Sequence, residues 1–420
     1  MRVPLLADLP FIHELTLEGS GRVSKYNFLR DSVYAWTAGG IWAPVSDLRL
    51  RLTYSRAVRA PNLADLYAGT SQTFANNFID PCSQDVINQE PNRARNCAAA
   101  GVPTTITLPD GSTRPWTNAP TSGILGTNGG NPNLAPEVSH NFTVGAVFQP
   151  RWVPGLSLTV DYYNIRINQA INSITPQQLV NRCYEDPVGL DNAFCGLVSR
   201  RRDAGNTIAD FTFAGQQGRR FTGFPDFNVG IVGNGFTNNS FNYAKLQTSG
   251  IDAELRYAHE FTDEIKLNVR GAVSWLASRN QFTFFSDPGR YTRIKSTLGD
   301  PEWRGLFSAN MTAGPFDLSL TTQYIGKQTV SAWNVQNTEQ SRPPTDADRN
   351  PFGYYPDVFI HDIQFGIRAN DRFRIYLGVD NVNDQLPPFG LTGTGAADAN
   401  ISSIFPNTGR YFYAGANMKF

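Results

Sequence analysis

In the segment LRLRLTYSRAVRAP, residues 48–61, apolar and polar side chains alternate and the alternation then ends abruptly. These two features together decide the fold. Along its first half, large apolar side chains fall on one face of an extended chain and polar side chains fall on the other. The apolar face carries Leu48, Leu50, Leu52 and Tyr54, and the polar face carries Arg49, Arg51, Thr53 and Ser55. A period of two residues indicates a β-strand whose faces meet different environments. The alternation ends at Ala60-Pro61, since proline has no N–H to donate to a neighbouring strand.

The composition limits the classes of protein that this chain can represent. It has 36 basic and 36 acidic side chains in 420 residues, so the net charge gives no electrostatic reason to expect a nucleic-acid partner. Charged residues make up only 17% of the chain and aromatic residues 12%, which is an unusual combination for a soluble enzyme. The sequence contains no run of 18 or more apolar residues, and we therefore predict no transmembrane helix.

The alternation of the opening segment recurs along the whole chain. We predict about twelve strands, near residues 11–24, 30–43, 47–58, 137–149, 155–169, 241–258, 264–277, 303–313, 316–328, 357–369, 372–382 and 408–420. Short turns such as 44–47 alternate with long loops such as 60–136 and 170–240. Strands of this length, with short turns at one end and long loops at the other, are typical of outer-membrane barrels. We expect an all-β fold, namely an antiparallel transmembrane β-barrel with short periplasmic turns and long extracellular loops.

Two further readings of the pattern remain open at this point. The chain could be a passive porin-like channel of twelve strands, or a secreted structural β-protein such as a sandwich. A sandwich would bury one face and would rarely expose the apolar one, so solubility without detergent would favour it. One strand is also irregular, because the apolar phase of GLSLTVDYYNIRI (155–167) switches at Tyr162-Tyr163. We expect a bulge there, or the emergence of the strand from an apolar layer.

The four cysteines fall into two local pairs inside polar segments that read as loops. We expect disulfides between Cys82 and Cys97 and between Cys183 and Cys195, with the pairing inferred from spacing alone. Disulfides imply an oxidising compartment. Free thiols or a metal site are the alternatives, but the sequence has no C-x-x-C and its four histidines are scattered singly. We therefore predict no metal site.

Several motifs, in order along the chain, resemble those of TonB-dependent outer-membrane receptors. SRAVRAPNLADLY (55–67) is similar to the S-x-x-x-R-A-P-x-L-x-E-L-F signature of this family, with Asp65 as the acidic residue and Tyr67 as the aromatic. Pro61 would be followed by Asn62, which can cap a short helical turn from Leu63 to Tyr67. GNPNLAPEVSHNFTVG (130–145) resembles the G-N-P-x-L-x-P-E-x-S segment. Further resemblances lie in VDYYNIRI (160–167), TSGIDAEL (248–255), VDNVNDQLPP (379–388) and the closing strand RYFYAGANMKF (410–420).

The resemblance implies a barrel of twenty-two strands that is filled by an N-terminal plug and takes up a siderophore or another bulky nutrient with energy from TonB. Residues 1–420 offer about twelve strands, without a plug, a TonB box or a signal peptide, and we expect one partial barrel domain that does not transport alone. The implied location is the outer membrane. The implied partners are outer-membrane lipid and lipopolysaccharide, TonB through regions ahead of this chain, and the barrel-assembly machinery. That machinery would read the closing strand, for which we name Phe412 and Phe420.

No motif for catalysis or cofactor binding is present. The sequence has no G-x-S-x-G elbow, no Walker A motif and no H-E-x-x-H, so we predict a non-enzyme without a cofactor. Ligand contacts are expected in the long loops, where arginine and aromatic side chains suit an anionic siderophore or a stacked sugar. The alternative is that these arginines meet lipopolysaccharide phosphates or water. The candidates are Arg200, Arg201, Arg202, Arg219, Arg220, Phe221 and Trp333.

Overall fold

The structure is a computed structural model that describes most of the chain. The described residues are 1–29, 31–76, 78–102, 104–107, 110–117, 123–200, 211–213, 216–218, 235–282, 289, 291–329, 354–370, 372–388, 404–406 and 408–418. None of the helices in this part of the chain is long and apolar enough to cross a membrane.

Thirteen strands form one antiparallel sheet, which we call the wall. They are β1 (Arg2–Leu9), β2 (Ile12–Ser24), β3 (Val33–Val45), β4 (Leu48–Arg59), β5 (Glu137–Phe148), β6 (Leu156–Ser173), β7 (Gly235–Glu260), β8 (Ile265–Phe282), β9 (Trp303–Ala313), β10 (Phe316–Ile325), β11 (Val358–Asn370), β12 (Phe373–Asp380) and β13 (Tyr411–Met418). Each strand pairs with the next one along the chain, as expected of an up-and-down barrel wall. Between the described residues of β1 and β13 no pairing occurs.

The twelve predicted strands are confirmed, and the sequence reading missed one, β1. Its sequence RVPLLADL contains Pro4 and places Leu5 beside Leu6, so the period of two is broken. The pairing of β1 with β2 shifts register between Pro4 and Leu6, which is a bulge that puts two neighbouring side chains out of alternation. The same kind of irregularity was expected at Tyr162-Tyr163 of β6. The register is continuous there, and two shifts lie further along, between Ile167 and Ala170 and between Ala170 and Ile171.

The connections alternate in length as predicted. Turns of two to seven residues join β1 to β2, β3 to β4, β5 to β6, β7 to β8, β9 to β10 and β11 to β12. The other ends carry the long loops, among them residues 60–136 and 174–234. Short periplasmic turns and long extracellular loops therefore lie at opposite ends of the wall.

One side of the wall is apolar and carries two belts of aromatic side chains. Near the long loops, the rings of Trp36 and Tyr54, of Trp275 and Trp303, and of Tyr324 and Phe359 lie 5.6, 6.0 and 4.8 Å apart. Near the short turns, Phe316 contacts Phe365 at 5.9 Å and Phe148 contacts Trp152 at 6.5 Å. Phe316 and Tyr324 are eight residues apart on β10, which at about 3.3 Å per residue and a tilt of about 40° projects to roughly 20 Å. Aromatic belts at this separation bound a membrane-embedded apolar band.

The long loops hold all the helices in the described part of the chain. These are α1 (Leu63–Tyr67), α2 (Arg93–Ala99) and α3 (Pro176–Glu185), with single 3-10 turns at Ile87–Gln89 and Cys195–Leu197. Helix α3 begins with a capping box in which Thr175 and Gln178 each accept a hydrogen bond from the other's backbone N–H, and Pro176 occupies the first turn. Short loop strands are Ser71–Asn76, Thr105–Thr107, Thr113–Pro115, Gly123–Gly129, Val198–Ser199, Phe211–Phe213, Gln216–Gly218 and Thr292–Arg293.

Candidate functional site: the rim, the cap and the inner wall

An ion pair joins the two motifs on which the family resemblance depends. Arg59, at the end of β4, donates two hydrogen bonds of 2.7 Å to the carboxylate of Glu137, at the start of β5. Such a two-point contact fixes the guanidinium in orientation as well as in position. Asp65 of α1 also lies 3.4 Å from Arg59, and the backbone N–H of Ile171 donates to Glu137 at 2.7 Å. We call this arrangement the rim clamp, because it ties β4, β5 and β6 together where the wall meets the long loops.

The predicted N-terminal capping of helix α1 (Leu63–Tyr67) by Asn62 is confirmed. The Asn62 side chain accepts a hydrogen bond of 2.7 Å from the backbone N–H of Asp65, whose carboxylate accepts one of 3.0 Å from the backbone N–H of Asn62. The second motif then runs against this helix, because the backbone N–H of Asn131 donates to the Asp65 carbonyl at 2.8 Å. A Cβ at Gly130 would stand 2.5 Å from the Leu66 carbonyl oxygen, so only glycine allows this close approach.

Above the rim clamp, two long loops fold together around a hydrophobic core. We call this unit the cap, and it comprises the described parts of residues 71–129 and 174–200. Its core is formed by Ala75, Phe78, Cys82, Ile87, Cys97, Val102, Trp116, Ile124, Ile174, Leu179, Val180, Cys183, Tyr184 and Phe194, together with Phe236 at the start of β7. Residues Gly123–Gly129 also pair with both Ser71–Asn76 and the first part of β7, which joins the cap to the wall.

Both predicted disulfides are confirmed, and both lie in the cap. Cys82 is bonded to Cys97 and Cys183 to Cys195, with Cα atoms 5.6 and 4.6 Å apart. Neither bridge crosses between the two loops, so each one shortens a single loop. Contact between the loops depends on packing and on polar contacts instead.

A buried ion pair links the two loops of the cap. Arg200 donates two hydrogen bonds, of 2.5 and 2.7 Å, to the carboxylate of Asp80, and a third of 2.9 Å to the hydroxyl of Tyr184. The two charged side chains are 4% and 0% exposed. Burial opposes the charge on the guanidinium, but the Asp80 carboxylate and the Tyr184 hydroxyl outweigh it and raise the pKa of Arg200. The guanidinium of Arg200 therefore remains charged although it is buried.

A second contact of the same type lies at α2. Arg93, whose side chain is 8% exposed, donates to the carboxylate of Glu185 at 2.5 Å and to the Val86 carbonyl at 2.9 Å. Asn96 donates to the carbonyl oxygens of Tyr184 and Asp186 at 2.9 and 2.8 Å. Helices α2 and α3 are thus joined by polar contacts of two buried side chains, Arg93 and Asn96.

The other predicted ligand residues cannot be placed beside Arg200. Arg201, Arg202, Arg219, Arg220, Phe221 and Trp333 lie outside the described residues, as does Phe420. The Arg200 guanidinium is hydrogen-bonded to Asp80 and Tyr184. Ligand contact by Arg200 therefore stays a prediction, and it requires the ion pair with Asp80 to open. Phe412 lies on the apolar side of β13, paired with Val379 of β12. Its role in membrane insertion also stays a prediction.

The opposite side of the wall, which we call the inner wall, carries charged side chains in pairs that span three strands. Arg51 of β4 contacts Asp161 of β6 with an Nε–Oδ1 distance of 2.8 Å, and Gly145 of β5 lies between them in register. Arg374 of β12 and Asp317 of β10 also meet over Gly366 of β11, which is in register with Asp317, although Arg374 itself is opposite Arg368. In both cases a Cβ on the glycine would clash with the ion pair. The glycines therefore let side chains of next-nearest strands form ion pairs across the strand between them.

Among the described residues, two of the cavities open on the inner wall. One, of about 380 Å³, is lined mainly by charged and hydroxyl side chains, including Arg51, Asp161, Asp252, Glu254 and Arg256. The other, of about 540 Å³, lies nearer the long loops, and we call it the rim pocket. Its lining includes Ser274, Arg304, Leu306, Gln323, Ile325 and Ile404. The rim pocket thus offers one arginine within a mixed apolar and polar surface, which suits recognition of a bulky, partly anionic molecule.

Sequence reasoning missed the rim pocket for an identifiable reason. Arg304 belongs to the alternation of β9, whereas Ile404 comes from a loop about one hundred residues later. Ile404 packs beside a second cluster of buried apolar side chains, which includes Ile325, Val358 and Phe405. Ile325 and Val358 face each other in register across β10 and β11 on the inner side. The only available signal was apolar residues at inward positions of two strands. In the described part of the chain, no cluster of three or more His, Cys, Asp or Glu side chains could hold a metal ion.

An apolar outer face between two aromatic belts, a charged inner wall and folded loops at one end define an outer-membrane β-barrel protein. The sequence matches the family described as TonB dependent receptor-like, beta-barrel, over residues 5–382. The chain belongs to this family and lies in the outer membrane. A comparison with curated protein sequences found no match.

Solved structures of siderophore receptors share the fold. A mutant of the ferric enterobactin receptor from Pseudomonas aeruginosa, in complex with enterobactin, superposes with a TM-score of 0.55 at 15% identity; the match covers 98% of this chain and 44% of the receptor. The siderophore receptor PirA from Acinetobacter baumannii also gives a TM-score of 0.55, at 14% identity and over 97% of this chain and 43% of the receptor. The chain therefore spans less than half the length of the receptors that it matches.

Proposed function

We propose that the chain forms the wall and cap of a receptor that takes up a ferric siderophore, or another bulky and scarce nutrient, through the outer membrane. Family membership over residues 5–382 is the observation that carries the proposal. The rim pocket and the cap support it, because the pocket is a concave surface with one arginine near the long loops and the cap is a folded unit on the extracellular side. Passive diffusion of small solutes would not need a folded cap.

Energy for uptake would come from TonB, as membership of the TonB-dependent receptor family implies. The paired charges of the inner wall fit a polar domain held inside the barrel, since a lipid-facing surface would not carry them. We infer that residues 1–420 alone bind the nutrient weakly and do not transport it. We propose Arg304, together with the predicted residues Arg201, Arg202, Arg219, Arg220, Phe221 and Trp333, as the groups that contact the ligand.

The test is uptake of radioactive ferric siderophores by the source bacterium, beginning with ferric enterobactin. Deletion of the receptor gene should abolish uptake of one ferric siderophore; a plasmid copy of the whole gene should restore it, and a plasmid that encodes residues 1–420 alone should not. A protonophore or loss of TonB should abolish uptake equally. Uptake that persists after both treatments would contradict the proposal and favour a passive channel.

A variant sharpens the test at the rim pocket. R304A should weaken binding of the transported siderophore about tenfold, because a guanidinium bonded to an anionic ligand contributes roughly 1.4 kcal/mol or more. K266A provides the control, since Lys266 lies near the periplasmic turn of β8 and pairs with Glu260 at 2.7 Å. Equal affinities of the two variants would remove Arg304 from the site.

A further inference from the structure

A fully buried glutamine beside the rim pocket has an amide group of which only one end is paired. Gln328 lies just after β10, and its side chain is 0% exposed. Its Oε1 accepts a hydrogen bond of 2.7 Å from the backbone N–H of Gly299, and this contact identifies the oxygen end of the amide. The other end, Nε2, is buried and has no acceptor in the described part of the chain. A buried donor without an acceptor is destabilising, so its presence calls for an explanation.

Gly299 connects this glutamine with the arginine of the rim pocket. The N–H of Gly299 donates to Gln328, and its carbonyl oxygen accepts a hydrogen bond of 2.6 Å from Nη2 of Arg304. Gly299 also lines the pocket, and its φ of 91° is a backbone conformation that favours glycine. A single residue therefore links the buried amide to the cation of the pocket.

Arg304 differs from the cations around it, because it contacts a neutral group. Among the described residues, no ion pair includes Arg304, whereas Arg279 contacts Asp300 and Lys295 contacts Glu302 at 2.9 Å. An anion attracts a guanidinium more strongly than a neutral carbonyl does. An anionic ligand that binds Arg304 would therefore release the carbonyl that the arginine now holds.

We propose that Gln328 is a positioning residue, which holds the Gly299 carbonyl against Arg304 and takes over that carbonyl when an anionic ligand binds the arginine. In the arrangement of the structure, Oε1 of Gln328 orients Gly299 and, through its carbonyl, the guanidinium. After ligand binding, the released carbonyl turns toward Nε2, which gains the acceptor that it lacks. The exchange replaces one hydrogen bond by another, so ligand binding leaves no carbonyl without a donor. The proposal rests on the proposed function only in that a ligand binds Arg304.

Two backbone hydrogen bonds report whether the turn that contains Gly299 stays in place. The N–H of Leu298 donates to the Thr329 carbonyl at 2.9 Å, and the N–H of Thr329 donates to the Ser296 carbonyl at 2.8 Å. These amides exchange with solvent when the turn separates from the segment that carries Gln328. Their exchange rates therefore measure the opening that the contacts of Gly299 oppose.

Hydrogen exchange of the full chain in detergent micelles tests the proposal without a ligand, because R304M releases the Gly299 carbonyl as a ligand would. If Gln328 takes over this carbonyl, R304M should raise the opening of the turn by less than about twofold. Q328M removes the acceptor of the Gly299 N–H and should raise the opening about fivefold, which corresponds to one hydrogen bond. R304M/Q328M leaves the carbonyl without either donor and should raise the opening about 25-fold, more than the product of the two single effects.

Two further variants are the controls. R304K keeps a donor for the Gly299 carbonyl, so Q328M should have the same effect in the R304K background as in the wild type. Q323M changes a second glutamine of the rim pocket, which is exposed and has no part in the contacts of Gly299. It should leave the exchange of Leu298 and Thr329 unchanged with either arginine or methionine at position 304.

Three outcomes would overturn the proposal. A fivefold increase in R304M alone would show that no donor replaces Arg304 at the carbonyl, and this comparison leaves the buried glutamine in place. A double variant that equals the product of the two single effects would reduce Gln328 to a structural role. Equal effects of Q323M and Q328M would indicate a general loosening of the pocket. Uptake is not measured here, so failure of this proposal and failure of the proposed function are distinguishable.

Discussion

The cap and the wall are stabilised in different ways, although a single chain builds both. The cap has a core of buried side chains, two disulfides and an ion pair whose members are 4% and 0% exposed. The wall has its large apolar side chains on the outside, where Leu52, Leu377 and Phe412 are 48%, 54% and 68% exposed. Its inner ion pairs are partly open to solvent, as for Arg51, which is 46% exposed.

This difference indicates which environment each region requires. The cap encloses its own core and resembles a small secreted domain, for which disulfides compensate for limited size. The wall encloses no core between two layers and depends on lipid for its apolar face. Changes inside the cap should therefore act locally and strongly, whereas single changes in the wall should act weakly.

The largest effect is expected at the buried ion pair of the cap. D80N leaves the Arg200 charge buried without its carboxylate, which should reduce the free energy of cap opening by about 3–5 kcal/mol. Hydrogen exchange should then show faster exchange of cap amides, such as those of α3, with wall amides unchanged.

D110N is the control for this variant. Asp110 is also a cap aspartate but lies exposed at a hairpin tip, where it accepts hydrogen bonds from Ser112. An effect of D80N below 1 kcal/mol, or one equal to that of D110N, would contradict a structural role for the pair.

A smaller effect is expected from removal of one disulfide of the cap. The Cys82–Cys97 and Cys183–Cys195 bridges close segments of 15 and 12 residues, so each should contribute about 3 kcal/mol to cap stability. The double variant C82A/C97A should expose the cap to proteases that leave the wall intact. If the wall were cut at the same rate as the cap, the two regions would not be separate units of stability.

The smallest effect is expected at the glycine between Arg51 and Asp161. G145A places a methyl group in the path of this ion pair, and breaking a partly exposed pair should cost about 1 kcal/mol of wall stability. G21A is the control, because a Cβ at Gly21 meets nothing within 4 Å. Urea unfolding in lipid bilayers should give a lower midpoint for G145A than for G21A. Equal midpoints would show that the inner pairs do not stabilise the wall.

The sequence predicts the wall far better than the cap. The reason is that the strands of the wall follow from neighbouring residues, whereas the cap depends on contacts between residues far apart in the sequence. Alternation is local, so it located twelve strands and failed only at β1, where Pro4 and a bulge interrupt the period. The disulfides were predictable because each pair is close in sequence. The contact between Asp80 and Arg200 joins residues 120 positions apart, and nothing near either residue indicates its partner.

The rim clamp lies between these extremes. The capping of the adjoining helix α1 by Asn62 follows from local rules and was predicted, whereas the reciprocal hydrogen bond to Asp65 was not. The pairing of Arg59 with Glu137 was not, although each residue belongs to a motif that the sequence reading identified. Only the alignment of β4 with β5 in the folded sheet brings the two motifs together.

The central claim is that the wall crosses the outer membrane with the cap outside, and cysteine labelling of intact cells tests it most directly. The four native cysteines are all in disulfides, so an introduced cysteine is the only free thiol. D110C, at the tip of a cap hairpin, should react with a membrane-impermeant maleimide on intact cells. D263C, in the turn between β7 and β8, should react only after the outer membrane is permeabilised. Labelling of D263C but not D110C on intact cells would contradict the topology, and equal labelling of both would contradict a membrane-spanning wall.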